Sequence, residues 1–182
     1  YYSTPYLDKK QRMGLTIGIL RITNRTLAYR TNQDKLMFLG SESRTRERIV
    51  PYLTITHRPK FYGHHSFSAQ YSITSVTDTI ARLNPNYFLN GIKRQNYLQL
   101  SYSHFYDRRD RGQYALKGFY YGFNISQSGI LSKDDVHLSE ATLSFGQYVP
   151  LAKKLFFSYQ TKAKFSTPGK QPFLQIRGLG YG

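Results

Sequence analysis

Apolar and polar residues alternate along most of this chain. Between His65 and Thr74, the odd-numbered positions are mostly aromatic or aliphatic, whereas the even-numbered positions are Ser, Gln and Thr. Successive side chains of a β-strand point to opposite faces. The pattern therefore predicts a strand with one apolar and one polar face, which a helix could not produce.

The same alternation recurs often enough to predict an all-β protein. It is clear in residues 97–106, 119–125, 141–146 and 155–165. It is weaker in residues 13–19 and 49–57, where Pro51 suggests a strand end or a bulge. We therefore expect an antiparallel meander of about seven strands, with one helical turn within residues 79–83 and no amphipathic helix.

The predicted strands are joined alternately by short and long connections. Residues 58–63, 107–112 and 150–154 are short and turn-like. Residues 23–46, 75–95 and 127–135, and everything after Thr167, are longer and polar. Short turns on one side and long loops on the other are typical of a transmembrane β-barrel of the bacterial outer membrane, with the turns in the periplasm.

The composition of the two faces favours the same class of protein. The polar face consists of Ser, Thr, Gln, Asn and Gly with an occasional Lys, as expected for a barrel lumen. The apolar face is rich in Tyr and Phe, which predicts contact with lipid and aromatic girdles at the membrane interfaces. The residues expected there are Phe67, Tyr71, Tyr102, Phe119, Tyr121, Phe123, Phe157 and Tyr159. A soluble β-sandwich or a lipocalin-like barrel stays open as an alternative.

Composition narrows the alternatives further. The chain has 182 residues, no Cys, and a formal net charge of +16 from 26 Lys+Arg and 10 Asp+Glu. The lack of Cys excludes a disulfide scaffold and a thiolate metal site. No apolar run approaches the ~18–20 residues that a membrane helix needs. The basic residues are spread along the chain, which suits solvated loops and a basic lumen, with anionic lipid or nucleic acid as the alternative explanation of the charge.

No arrangement of residues predicts catalysis, a cofactor or a metal. His64 and His65 are adjacent on a predicted strand, so their side chains point to opposite faces and cannot easily chelate one ion. Asp107 and Asp110 are surrounded by arginines that would hold them ionised, whereas general acid catalysis needs the opposite shift. We interpret this cluster as a turn with its own salt bridges, and we expect the chain not to be an enzyme.

Several segments resemble BamA-type barrels of the outer-membrane protein 85 superfamily, the bacterial surface-antigen family. The resemblance is carried by the residues 83–91 (LNPNYFLNG), 106–110 (YDRRD), 116–120 (LKGFY), 148–155 (YVPLAKKL), 170–173 (KQPF) and 179–182 (LGYG). Its most specific element is the turn formed by Asp107, Arg108, Arg109 and Asp110, followed by Gly118, which opens a strand; we place this turn in the periplasm.

The resemblance implies that residues 1–182 are an internal part of a barrel of about sixteen strands. They would correspond roughly to the family's strands five to eleven and the start of its long sixth loop, without the periplasmic POTRA domains and the remaining strands. That loop folds back into the lumen in this family and carries an Arg-Gly motif. Arg177 and Gly178 resemble the motif, although Leu179 stands where the family has an aromatic residue.

By resemblance, the expected function is the folding and insertion of other β-barrel proteins in the bacterial outer membrane. The implied partners are outer-membrane lipid including lipopolysaccharide, client β-barrel proteins and accessory lipoproteins of an assembly complex, but no nucleic acid. The alternatives are a related barrel for protein secretion or one fused to a lipase, a porin-like channel, and a basic soluble β-domain that binds nucleic acid.

Overall fold

A computed structural model of the protein describes residues 1–168 and 170–176. Nearly all of its regular structure is β, in agreement with the alternation in the sequence. The strands are β1 (Tyr2–Thr4), β2 (Met13–Asn24), β3 (Thr26–Asn32), β4 (Lys35–Gly40), β5 (Arg46–His57), β6 (Gly63–Val76), β7 (Arg94–Asp107), β8 (Gly118–Ser128), β9 (Leu138–Ala152) and β10 (Leu155–Thr167). The helices are α1 (Asp78–Leu83) and a short 3-10 helix (Phe173–Gln175).

Eight of these strands form one antiparallel sheet, which we call the wall, in the order β1-β2-β5-β6-β7-β8-β9-β10. The sheet is open, with β1 and β10 at its edges, and the hairpin β3-β4 stands apart from it. The seven long strands of the sheet are the seven that the sequence predicts, and α1 contains the predicted helical turn. The short β1 and the β3-β4 hairpin were not predicted.

The expectation for Pro51 was wrong. It lies in the middle of β5, opposite Ile19 of β2. The register between β5 and β6 is the same before and after it, with Ile49 opposite Ile73 and Tyr52 opposite Gln70. Proline has no backbone N–H to donate, so the pairing with β6 is interrupted locally, but the strand neither ends nor bulges.

The connections differ in length between the two ends of the sheet. At one end, here called the turn end, residues 58–62, 108–117 and 153–154 join β5 to β6, β7 to β8 and β9 to β10. At the other, the loop end, residues 25–45, 77–93 and 129–137 connect the strands. The predicted asymmetry holds for the turns 58–62 and 153–154. The connection between β7 and β8 was predicted to be short, but it covers residues 108–117 and is no shorter than the loop of residues 129–137.

The loop end carries the main hydrophobic cluster among the described residues, which we call the loop cap. It is built from the hairpin, the end of β6, α1 and the segment after it. Its buried members are Leu27, Tyr29, Val76, Ile80, Tyr87 and Phe88. No helix within the described part of the chain is long and apolar enough to cross a membrane.

Candidate functional site: a two-faced wall and the segment folded onto it

The strand register sorts the side chains of the sheet onto two chemically different faces. On one face, Leu15 of β2 lies opposite Ile55 of β5, which lies opposite Phe67 of β6, which lies opposite Tyr102 of β7. The row continues through Ile125 of β8. Most apolar positions of these strands thus lie on the same side, as the alternation in the sequence predicts.

This apolar face is open to its surroundings. Ile19 is 72% exposed, Phe67 52% and Ile125 54%, although each lies well inside its strand. A sheet face with this much uncovered apolar area is not stable against water and needs an apolar medium or a partner.

The eight aromatic residues predicted to face lipid all lie on the apolar face, and most of them lie in the half nearest the turns. Phe67 contacts Tyr102 with ring centroids 4.5 Å apart, and Tyr102 contacts Phe123 at 5.5 Å. Nearer the turns, Tyr106 stacks on Tyr121 at 5.2 Å. Their grouping near the strand ends suits an interfacial girdle at the turn end; their contact with lipid stays a prediction.

The opposite face is polar and hydrogen-bonded across the strands. The hydroxyl groups of Thr54 and Ser68 lie 2.9 Å apart, the Nε of Arg48 donates to Ser72 at 3.2 Å, and the amides of Gln70 and Gln99 are hydrogen-bonded. Lys164 of β10 forms an ion pair with Glu140 of β9 at 2.6 Å. The side chains of this face can therefore bond to one another and to water or polar groups that lie against them.

Two glycines on the polar face make room for tyrosine rings from the neighbouring strand. A Cβ atom at Gly18 would lie 2.8 Å from the phenolic hydroxyl oxygen of Tyr52, and one at Gly146 would lie 2.3 Å from the ring of Tyr120. The ring of Tyr120 is also contacted by the guanidinium of Arg109 at 4.7 Å. Close packing of the tyrosine rings therefore requires glycine at both positions.

Near the loop end, the polar face lines a cavity of about 350 Å³. Residues of six strands contribute to it, together with two residues from the segment that follows β10. The lining consists of Leu20, Arg48, Val50, Gln70, Tyr97, Gln99, Ser128, Leu138, Glu140, Leu174 and Gln175. The chain therefore turns back onto the polar face after its last strand.

The returning segment is fastened to the loop cap by backbone and ring contacts. The backbone N–H of Phe173 donates to the carbonyl of Asn86 at 3.0 Å, and that of Leu174 to the carbonyl of Tyr87 at 3.5 Å. The rings of Phe173 and Tyr87 lie 6.0 Å apart. Tyr87 is 1% exposed, and this burial raises the pKa of its phenol.

The contact between residues 86–87 and 173–174 was not predicted. The Asn-Pro-Asn-Tyr-Phe sequence at residues 84–88, with turn-forming residues directly before two aromatic ones, was the only local signal for it. The side chain of Asn84 holds this segment by donating from Nδ2 to the carbonyl of Tyr29 at 2.6 Å.

The arginine-rich turn forms the internal contacts expected of it, with one difference. Arg109 pairs with Asp107 at 2.7 Å, and this bond holds the pKa of the guanidinium above its ordinary value. Asp110 instead accepts backbone N–H groups of Arg111, Leu116 and Lys117 at 2.9–3.2 Å. Although desolvation opposes them, these bonds lower the pKa of its carboxyl.

Gly118 closes the same turn because no other residue fits there. Its φ is +108°, and a Cβ atom would lie 2.2 Å from the carbonyl oxygen of Arg108. A side chain at this position would therefore distort the turn, whose periplasmic placement stays a prediction.

The histidines of the turn end are arranged in a way that the sequence did not reveal. The register places His57, His65 and His104 in one row across β5, β6 and β7, and the rings of His65 and His104 lie 4.4 Å apart. His64 points to the other face, as predicted. In residues 1–168 and 170–176, no group of three or more His, Asp or Glu is placed to hold a metal ion.

Comparison with known protein families identifies the origin of this fold. The family model of the Omp85 superfamily domain matches residues 2–176 of the chain. The chain belongs to the Omp85 superfamily. No curated protein matches it.

A solved structure agrees with this membership. The chain is similar to BamA from Haemophilus ducreyi lacking POTRA domains 1–3, with a TM-score of 0.67 at 15% sequence identity. The match covers 98% of this chain and 35% of that one, so the chain spans about a third of its length. The open sheet is therefore part of an outer-membrane β-barrel of the Omp85 type, with the apolar face outward and the polar face toward the lumen.

The loop motif predicted at Arg177 and Gly178 lies outside the described residues. Residues 170–176, which lead up to it, already contact the lumen side of the wall through Leu174 and Gln175.

Proposed function

We propose that this Omp85 barrel inserts other β-barrel proteins into the outer membrane. The observation that supports this function is the return of the chain onto the lumen face after β10. Phe173 and Leu174 bind to the loop cap, and Gln175 lines the lumen cavity, so the interior is partly filled by the chain itself. A simple diffusion channel has a polar, water-filled interior instead.

The likeness to BamA supports the same proposal from the fold. In such a barrel, this chain supplies part of the barrel wall, part of the aromatic girdle and the segment that leads into the lumen loop. Its partners are then unfolded client barrel proteins, outer-membrane lipid including lipopolysaccharide, and accessory lipoproteins. A client strand adds to an exposed sheet edge through backbone hydrogen bonds, which is a recognition mode that needs no side-chain specificity.

The test uses the full-length protein in proteoliposomes. A small, urea-unfolded β-barrel client is added, and its folding is followed by heat-modifiable mobility on gels. Proteoliposomes with an unrelated barrel of similar size serve as the control. We expect the client to fold faster with the Omp85 protein, and equal rates in both preparations would contradict the proposal.

Depletion of the protein in its host separates the alternatives. An insertase leaves several outer-membrane barrels depleted together. A secretion relative leaves those barrels at normal levels while one secreted protein accumulates in the periplasm. A porin-like channel shows a large and permanent conductance in planar bilayers. Outer-membrane fractionation with heat-modifiable mobility of the protein itself precedes all of these measurements.

A further inference from the structure

The turn end of the wall carries positive charge that its own carboxylates do not neutralise. The connection between β1 and β2, residues 5–12, also lies at this end, where the backbone N–H of Arg58 donates to the carbonyl of Arg12. Each connection at this end contains basic residues, namely Lys9, Lys10, Arg12, Arg58, Lys60, Arg108, Arg109, Arg111, Lys117, Lys153 and Lys154. The acidic residues at this end are Asp8, Asp107 and Asp110.

All of these carboxylates are already engaged inside their own turns. Asp8 accepts the backbone N–H groups of Arg12 and Met13 at 2.7 and 2.8 Å. Asp107 is bound by Arg109, and Asp110 by backbone N–H groups of its turn. Among the described residues, no carboxylate pairs with Arg58, Lys60 or Arg108.

Arg58 and Arg108, which have no carboxylate partner, are both held against aromatic rings. The guanidinium of Arg58 lies 5.1 Å from the ring centre of Phe61, and that of Arg108 lies 5.3 Å from the ring of Tyr62. The rings of Phe61 and Tyr62 touch each other edge to face at 5.1 Å.

These rings extend the apolar face toward the turns. Tyr62 contacts Tyr106 at 6.1 Å, and Tyr106 stacks on Phe119 and Tyr121. Phe61 is 74% exposed, although it is fully apolar. In space, the apolar face of the sheet is therefore followed toward the turns by a group of aromatic rings, and these rings carry guanidinium groups that no carboxylate neutralises.

We propose that Arg58 and Arg108, with Phe61 and Tyr62, form a binding site for the phosphate of an anionic phospholipid at the edge of the barrel. The order of chemistry matches that of a lipid, in which acyl chains, interfacial region and phosphate follow one another at increasing distance from the membrane centre. Arginine fits phosphate oxygens through paired N–H donors, and a guanidinium already resting on a ring loses less freedom on binding.

A lipid fits these features better than a nucleic acid or an acidic protein. The cations border the exposed apolar face of the sheet, where Phe67 and Ile125 are each more than half exposed, and a membrane covers such a face continuously. The site depends on the outer-membrane placement of the barrel and not on the proposed insertase function, so either proposal can fail alone.

The test compares full-length variants in nanodiscs that contain equal amounts of phosphatidylglycerol and phosphatidylcholine. Native mass spectrometry counts the lipids of each kind that stay bound. We expect wild type to retain phosphatidylglycerol preferentially. The double variant Arg58→Gln/Arg108→Gln should lose this preference by about fivefold for each guanidinium removed, since one basic residue near a membrane surface contributes roughly that factor.

Arg30→Gln is the matched control, because Arg30 also lies over a ring, that of Tyr29 at 5.6 Å, but at the loop end. The proposal predicts an unchanged preference for this variant. Equal retention of both lipids by wild type, an unchanged ratio in the double variant, or an equal loss in Arg30→Gln would overturn it.

A second measurement needs no variant and so does not depend on folding. Wild-type protein is irradiated in nanodiscs with phosphatidylglycerol that carries a photoreactive headgroup, and the labelled peptides are identified. The site predicts labels concentrated in residues 58–62 and 108–117. Labels spread over other segments would refute the assignment.

Discussion

Replacing Gly146 by alanine tests whether the tyrosine packing on the lumen face stabilises the wall. The new Cβ atom would lie 2.3, 2.7 and 3.0 Å from three ring atoms of Tyr120. The ring cannot move away freely, because Arg109 lies over it at 4.7 Å and Phe105 contacts it at 5.7 Å. Overpacking of this kind costs about 1–3 kcal/mol.

The assay is urea unfolding of the full-length protein in lipid, with the folded fraction read from heat-modifiable mobility. A loss of about 2 kcal/mol, at a slope of about 2 kcal/mol per molar urea, lowers the midpoint by about 1 M. Gly112→Ala is the control, because a Cβ atom there has no neighbour within 4 Å. We expect it to unfold at nearly the wild-type urea concentration.

A double-mutant cycle identifies the cause of the loss. In a Tyr120→Ala background, Gly146→Ala should cost much less, because the atom with which it collides is gone. A Gly146→Ala protein that unfolds at the same urea concentration as wild type would refute the packing argument. So would an equal cost in both backgrounds.

Three further predictions concern the turn and the returning segment. Gly118→Ala should destabilise the wall by about 1–3 kcal/mol in the same urea assay, because a non-glycine residue at φ +108° is strained and its Cβ collides with the Arg108 carbonyl; a wild-type midpoint would contradict this. Phe173→Ala should release the segment after β10 from the loop cap, measured as faster hydrogen exchange of residues 170–176, and unchanged exchange would show that the ring does not hold it. Because the pKa of Asp110 lies below its ordinary value of 3.8, its contribution to the turn is complete above that value and is lost as the pH falls below it. Protection of the turn amides, corrected for intrinsic exchange, should therefore be equal at pH 7 and 5 and lower at pH 2.5, and Asp110→Asn should remove most of this pH dependence.

The sequence was sufficient to predict the wall because its information is local. In a strand, successive side chains point to opposite faces. The alternation between His65 and Thr74 therefore predicts both the strand and which residues lie on its apolar face. The ion pair between Asp107 and Arg109 was predictable for the same reason, since the two residues are neighbours in one turn.

The features that were missed either depend on distant residues or lack a clean alternation. The row of His57, His65 and His104 exists only because the registers of two strand pairs coincide, and no single segment contains that information. The hairpin β3-β4 lacks a clean alternation, since Leu36 to Leu39 are all apolar, and its register shifts between Ala28 and Arg30.

The strand order of the wall also determines how it can assemble. From β5 to β10, every strand pairs with the next one in the chain, so each addition closes only the connection between two neighbours. The longest of the described connections, between β2 and β5, contains its own hairpin, in which Thr26 pairs with Gly40. With that hairpin formed, the ends of β2 and β5 lie close together, so their pairing closes little additional chain. The strand order therefore allows the wall to be built hairpin by hairpin, and no pairing has to close a long unstructured loop.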